Sequence, residues 1–126
     1  MNETTAAGRN ARLVRTIFAE FAAGNLAPLR EALHDDFVEH SPGNPSGRDA
    51  FLRFIADSEV AKAELDLKRV VADEEHVVVH YRMTPPGQER GLAVVDIWRL
   101  ADGRIAEHWD VVQPVPQARE VPNGMF

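Results

Sequence analysis

The spacing of apolar residues changes character once along the chain. In the first half, Leu13, Ile17, Phe18 and Phe21 recur at steps of three and four. This predicts an amphipathic helix from about Arg9 to Ala23 that stops at Gly24. Leu26, Leu29 and Leu33 extend the spacing into a second, shorter helix whose first turn suits Pro28. Asp35–His40 reads as a short extended piece, and Ser41-Pro-Gly-Asn-Pro-Ser-Gly47 as a loop. A third helix from about Arg48 buries Phe51, Leu52 and Ile55. From Glu64 the pattern turns to period two and β-rich runs. Leu65–Val71 and His76–Met83 read as strands separated by Asp73-Glu74-Glu75, and Pro85-Pro86-Gly87 closes the second of them. Two more alternating runs lie within Val94–Gln113. Three helices followed by four consecutive antiparallel strands define an α+β plan, with helices packed on one face of a curved, mainly antiparallel sheet. The tail from Pro114 carries Pro114, Pro116 and Pro122, which excludes a regular helix or a central strand. Its apolar end, Met125-Phe126, is expected to dock on the domain.

The last hairpin carries the candidate chemistry. Ala101-Asp102-Gly103 reads as a type I turn followed by a left-handed Gly at a bulge. That register sets Leu100 opposite Arg104, Trp98 opposite Ala106, Asp96 opposite His108 and Val94 opposite Asp110. Asp96, His108 and Asp110 then share a face with Val94, Trp98 and Val112. The other face holds Val95, Ile97, Ile105, Trp109 and Val111, with Arg99 and Glu107. Two carboxylates and an imidazole in an apolar setting are the parts of an acid/base site. A two-residue Asp102-Gly103 turn is the alternative. It pairs Ala101 with Arg104, sets Asp96 opposite Trp109 and splits the cluster.

Composition narrows the reading. A chain of 126 residues makes one domain, with residues 1–8 expected to be flexible and 114–126 a Pro-rich tail. Its 44% hydrophobic and 27% charged residues are ordinary for a globular protein. A net charge of −6 argues against a nucleic-acid partner. No run approaches the ~20 apolar residues of a membrane span, and the N-terminus lacks a signal-peptide core. The cytoplasm is therefore the expected compartment. The absence of Cys excludes a disulfide framework, a thiol nucleophile and a thiolate metal site. The His and Asp residues show no compact ligand motif such as His-x-x-x-His, so neither metal nor cofactor is expected.

Several phrases carry a resemblance across nearly the whole chain: Phe37-Val-Glu-His-Ser-Pro-Gly-Asn-Pro-Ser-Gly-Arg48, Val77-Val-Val-His80, Asp96-Ile-Trp-Arg99 and Asp102-Gly-Arg-Ile-Ala-Glu-His-Trp-Asp-Val-Val-Gln-Pro-Val-Pro116. They resemble the SnoaL-like, polyketide cyclase-like group of the nuclear-transport-factor-like superfamily. The resemblance implies a cone-shaped, barrel-like fold with a deep apolar cavity between the helices and the concave side of the sheet. It also implies a last-strand Asp as the acid/base of an aldol closure. Asp110 matches that position, with His108 beside it, and His40, His80 and Asp96 fall where the group carries polar cavity residues. Ketosteroid isomerases of this fold use a Tyr donor, but alternation sets Tyr81 opposite His80, which disfavours that activity. Limonene-type epoxide hydrolases need Arg and Asp at i, i+2 on one strand plus a second Asp, whereas Asp96 is followed at i+2 by Trp98, so that triad is absent.

The function expected is a small cofactor-independent enzyme acting on an apolar carbonyl compound. Asp110 is the base, His108 or His80 the polarising group, Asp96 a partner, and His40, His80 and Trp98 contact substrate. The alternative is a non-catalytic ligand-binding or protein-interaction module on the same fold. A homodimer is expected through the apolar outer face of the sheet.

Overall fold

The computed structural model describes residues 4–126. Helix α1 (Ala6–Ala22) starts where Thr5 Oγ1 accepts the Gly8 N–H at 3.0 Å, a side-chain N-cap. Of the stretch expected to be flexible, residues 1–3 lie outside the described residues and Ala6 onward is helical. Helix α2 (Ala27–Ala32) has Pro28 in its first turn, and Leu33 already belongs to strand β1 (Leu33–Glu39). Then come α3 (Arg48–Ala56), a 3₁₀ turn (Glu59–Lys62), and strands β2 (Glu64–Ala72), β3 (His76–Thr84), β4 (Leu92–Ala101) and β5 (Arg104–Pro114).

The five strands form one sheet in the order β1-β5-β4-β3-β2, antiparallel except for the parallel β1–β5 pair. This is the α+β plan expected, with the short extended piece completing the sheet as an edge strand. Alternation turns Val77, Val79 and Tyr81 of β3 and Val94, Trp98 and Leu100 of β4 toward the helices, where they join a core with Val14, Ile17 and Phe18 of α1. Phe37 of β1 meets Phe51 of α3 at a ring separation of 5.0 Å. Burying such side chains supplies most of the folding free energy. The buried Asn10 on α1 donates to the carbonyls of Asp73 and Glu74, at 3.2 and 3.1 Å, and so ties α1 to the β2–β3 turn.

The β4–β5 connection corrects the expected register. Ala101 pairs with Arg104 across a two-residue turn in which Asp102 (φ 54°) and Gly103 (φ 74°) are both left-handed. This is the type I′ geometry that suits the twist of a hairpin. Asp96 nevertheless does not face Trp109. Leu100 pairs with Ile105 and Arg99 with Glu107, so Ala106 is an extra residue, a β-bulge. Beyond it Trp98 faces His108 and Asp96 faces Asp110. The bulge restores the expected parity, so Asp96, His108 and Asp110 share a face although each is displaced by two positions from its expected partner. Ile105 lies on the turn side of the bulge and changes face. It is 1% exposed in the core, not on the outer face.

Gly91, just before β4, has φ +71°, and a Cβ built there lies 2.6 Å from the carbonyl oxygen of Met83. Gly91→Ala is therefore expected to lower stability by about 1–3 kcal/mol, read as a fall in the urea midpoint. An unchanged midpoint would show that the β3–β4 connection absorbs the side chain without strain.

Candidate active site

Four neighbouring strands each place one side chain in a single hydrogen-bonded row. Glu39 comes from β1, His108 from β5, Asp96 from β4 and Tyr81 from β3. Glu39 and His108 are paired across the parallel β1–β5 ladder, and His108 Nδ1 lies 2.7 Å from Glu39 Oε1. Its Nε2 lies 3.1 Å from Asp96 Oδ1, and the Tyr81 hydroxyl donates to Asp96 Oδ2 at 2.9 Å. The side chains of Glu39, His108 and Asp96 are at most 5% exposed. A carboxylate only accepts hydrogen bonds, so an imidazole between two of them carries a proton on both nitrogens.

The electrostatics agree. Burial alone disfavours a charged imidazole, but the hydrogen bonds to Asp96 and Glu39, and their charges, outweigh it and push His108 up to about 9. For Glu39, burial works to raise its pKa, yet the His108 hydrogen bond and charge leave it below its ordinary value. Glu39 also accepts the backbone N–H groups of His40 and Ser41 on Oε1 and the Asn44 amide on Oε2. The same carboxylate thus holds both the imidazolium and the start of the 40–47 loop. Burial and the neighbouring Asp96 charge push Tyr81 well above the usual phenol range.

Asp110 stands beside this row. Burial raises its pKa above the ordinary carboxylate value. The Ser41 hydrogen bond and the His108 charge oppose that shift, and the charges of Asp96 and Glu39 add to it. Ser41 Oγ donates to Asp110 Oδ2 at 2.9 Å, and among the described residues no donor is paired with Oδ1. Asp110, Asp96, His108 and Tyr81 all line a cavity of about 310 Å³ between the helices and the sheet. Its remaining wall is mostly apolar, with Phe18, Phe51 and Trp98 prominent. Phe54 and Val112 line it and are 41% and 47% exposed, which marks its mouth. Trp98 stacks on His108 at 3.9 Å between ring centres.

One ligand atom each from Asp96, His108 and Asp110 lies within 4.8 Å of the others, a spacing that suits a metal ion. An ion there would take its histidine ligand only by breaking the His108–Asp96 bond or turning the ring away from Glu39.

Of the six residues singled out from sequence, the structure brings Asp96, His108, Asp110 and Trp98 together in the cavity. The other two are corrections. His40 is exposed, with its Nε2 2.6 Å from Glu107 Oε2 and its ring stacked on Trp109. Phe37 and Glu39 point inward, so the next residue of the strand points out. His80 lies on the outer face, where its Nδ1 meets Arg69 Nη1 at 2.9 Å and its ring stacks on Phe126. Val79 pairs with Asp96, and this turns the odd-numbered residues of β3 inward. Tyr81 is thereby a cavity residue, and the ground for disfavouring a tyrosine donor falls away. Glu39, Ser41 and Asn44 have no assigned role in the sequence reading, and Tyr81 stands on the face opposite to the one expected. The alternation Phe37/Glu39 was the available signal for Glu39.

The SnoaL-like domain family matches residues 14–108, and the chain belongs to that family. No match is found among curated proteins. Solved structures share the fold at low identity. A protein of Kribbella flavida DSM 17836, provisionally named a ketosteroid isomerase, is 19% identical with a TM-score of 0.77, over 98% of this chain and 94% of its own. One of Jannaschia sp. CCS1, provisionally named a SnoaL-like polyketide cyclase, is 20% identical with a TM-score of 0.74, over 90% and 91%. An NTF2-like protein of unknown function from Burkholderia xenovorans LB400 is 16% identical with a TM-score of 0.77, over 97% and 99%.

Because the folded pKa of His108 lies above that of the unfolded chain, the contribution of this imidazolium is complete below about pH 6.5 and lost as pH rises toward about 9. Stability should fall by on the order of 3 kcal/mol across that window, since each pKa unit is worth about 1.4 kcal/mol. Urea midpoints of the wild type and His108→Gln measured over this range check it. The variant should lose the slope, and a wild type with no slope would contradict the assignment.

Proposed function

We propose that the protein is a cofactor-independent acid/base enzyme that moves a proton α to a carbonyl in a small apolar molecule, leading to isomerisation or aldol cyclisation. The observation that carries this reading is Asp110. Its carboxylate faces an open apolar cavity, with its pKa raised by burial and by the carboxylates behind it. Such a group binds a proton more readily than a solvated aspartate does, and it needs no metal to act.

In this reading Asp110 takes the α-proton and the electron pair moves into the carbonyl to form an enolate. The proton returns to a different carbon in an isomerisation. In an aldol closure the enolate carbon attacks a second carbonyl, and protonated Asp110 delivers the proton to the new alkoxide. His80 is outside the cavity and both nitrogens of His108 are engaged. The developing oxyanion is therefore met by the positive charge of His108 rather than by a free imidazole N–H. Among the described residues no helix is long and apolar enough to cross a membrane, and a small diffusible substrate suits the cavity.

Deuterium exchange into 2-tetralone and related apolar cyclic ketones, followed by NMR in D₂O, tests the chemistry without knowledge of the natural substrate. Wild type should accelerate exchange, and Asp110→Asn should lose about 10²–10⁴-fold of the rate. Saturable binding without accelerated exchange, unchanged by Asp110→Asn, would favour the non-catalytic binding module.

The same reading includes a homodimer formed through the outer face of the sheet. Val71 and Val111 there are 62% and 69% exposed, and Trp109 is half-buried beside the Arg99–Glu107 ion pair. Light scattering should give twice the chain mass of 14.0 kDa. Trp109→Arg should shift the population toward monomer by placing a charge in a desolvated patch. A wild-type monomer at micromolar concentration would defeat the dimer.

A further inference from the structure

A second cavity, of about 330 Å³, lies on the outer side of the sheet, where the Pro-rich tail folds back over β3. Arg82 and Arg90 supply its positive charge. Val115, Pro116, Val121 and Phe126 supply apolar walls. The guanidinium of Arg82 lies 4.7 Å from the centre of the Phe126 ring, a cation–π contact that holds it at the cavity wall. Its Nε is buried and has no hydrogen-bond partner.

The charges around it do not satisfy it. Asp66 is directly across the β2–β3 ladder from Arg82, but its carboxylate is taken by Lys68 Nζ at 2.8 Å. Arg90 uses its Nε on the carbonyl of Val115, and Glu120 accepts from the backbone of Gln117. Among the described residues neither arginine has a carboxylate within ion-pair distance. Such isolation is unexpected in a chain with 20 acidic and 14 basic residues. The Nε of Arg82 is closed off from the cavity, so an anion there would meet the terminal nitrogens of its guanidinium, whose charge has no carboxylate partner among the described residues.

We propose that this cavity is a binding site for a small organic carboxylate, distinct from the Asp110 cavity. Its anionic group would accept from Arg82 and Arg90, and its apolar body would lie against the prolines and Phe126. A planar guanidinium presents paired donors that match the two oxygens of a carboxylate. The apolar walls favour an anion with a hydrocarbon portion over a fully hydrated one.

Benzoate, benzyl alcohol and inorganic phosphate are the probes, with ¹H–¹⁵N NMR read at the arginine Nε–H groups and the backbone amides of residues 115–126. Benzoate should shift these signals saturably and less tightly as salt is raised, whereas benzyl alcohol should not bind there. Arg82→Met and Arg90→Met should each weaken benzoate about tenfold or more. Arg90 is exposed, so its variant keeps the test valid if Arg82→Met fails to fold. Equal binding of benzyl alcohol, undiminished binding to both variants, or shifts confined to Ser41, Asp110 and their neighbours would overturn the proposal. Phosphate binding as tightly as benzoate would reduce the site to a general anion site and overturn its carboxylate assignment.

Discussion

The fold and the candidate chemistry both depend on one buried ion arrangement, His108 held between Glu39 and Asp96. Three charged side chains at most 5% exposed would be expensive to desolvate if any one lacked its partner. Here each nitrogen of the ring has a carboxylate, and the carboxylates are finished by Tyr81, Asn44 and two backbone N–H groups. The row crosses β1, β5, β4 and β3, so it also fastens the parallel edge strand to the antiparallel body. Removing one member would strand the others in an apolar cavity, which is why the row acts as a unit.

The row also sets the character of Asp110. Two carboxylates and one imidazolium leave a net negative charge beside it, and the cavity wall removes water from it. Both effects hold a proton on Asp110 more firmly than solvent would. The Ser41 hydroxyl, the largest influence after burial, opposes them and fixes the orientation of the carboxylate. Glu39 accepts from Ser41 as well, so one carboxylate aligns both the imidazolium and the residue that aligns the base.

Much of this was legible in residue order and period. The helices, the strands and the grouping of Asp96, His108 and Asp110 follow from alternation and turn chemistry. The grouping survived for a reason alternation does not contain. The Asp102-Gly103 turn is shorter than expected, and the bulge at Ala106 returns the missing residue. Ile105, trapped between turn and bulge, shows what happens without that compensation. The faces of His80 and Tyr81 depended on the register of β3 against β4, which no local pattern specifies. Glu39 was legible in principle, two residues after the core Phe37, yet a glutamate in an edge strand reads as solvent-facing until its partner on β5 is known.

The central claim is that His108 is an imidazolium at neutral pH, with a proton donated to each flanking carboxylate. Nitrogen-15 NMR of the histidine side chains, followed against pH, measures this directly. The account predicts that both His108 nitrogens remain protonated through neutrality and titrate only near pH 9. A neutral ring at pH 7, with one unprotonated nitrogen, would contradict it.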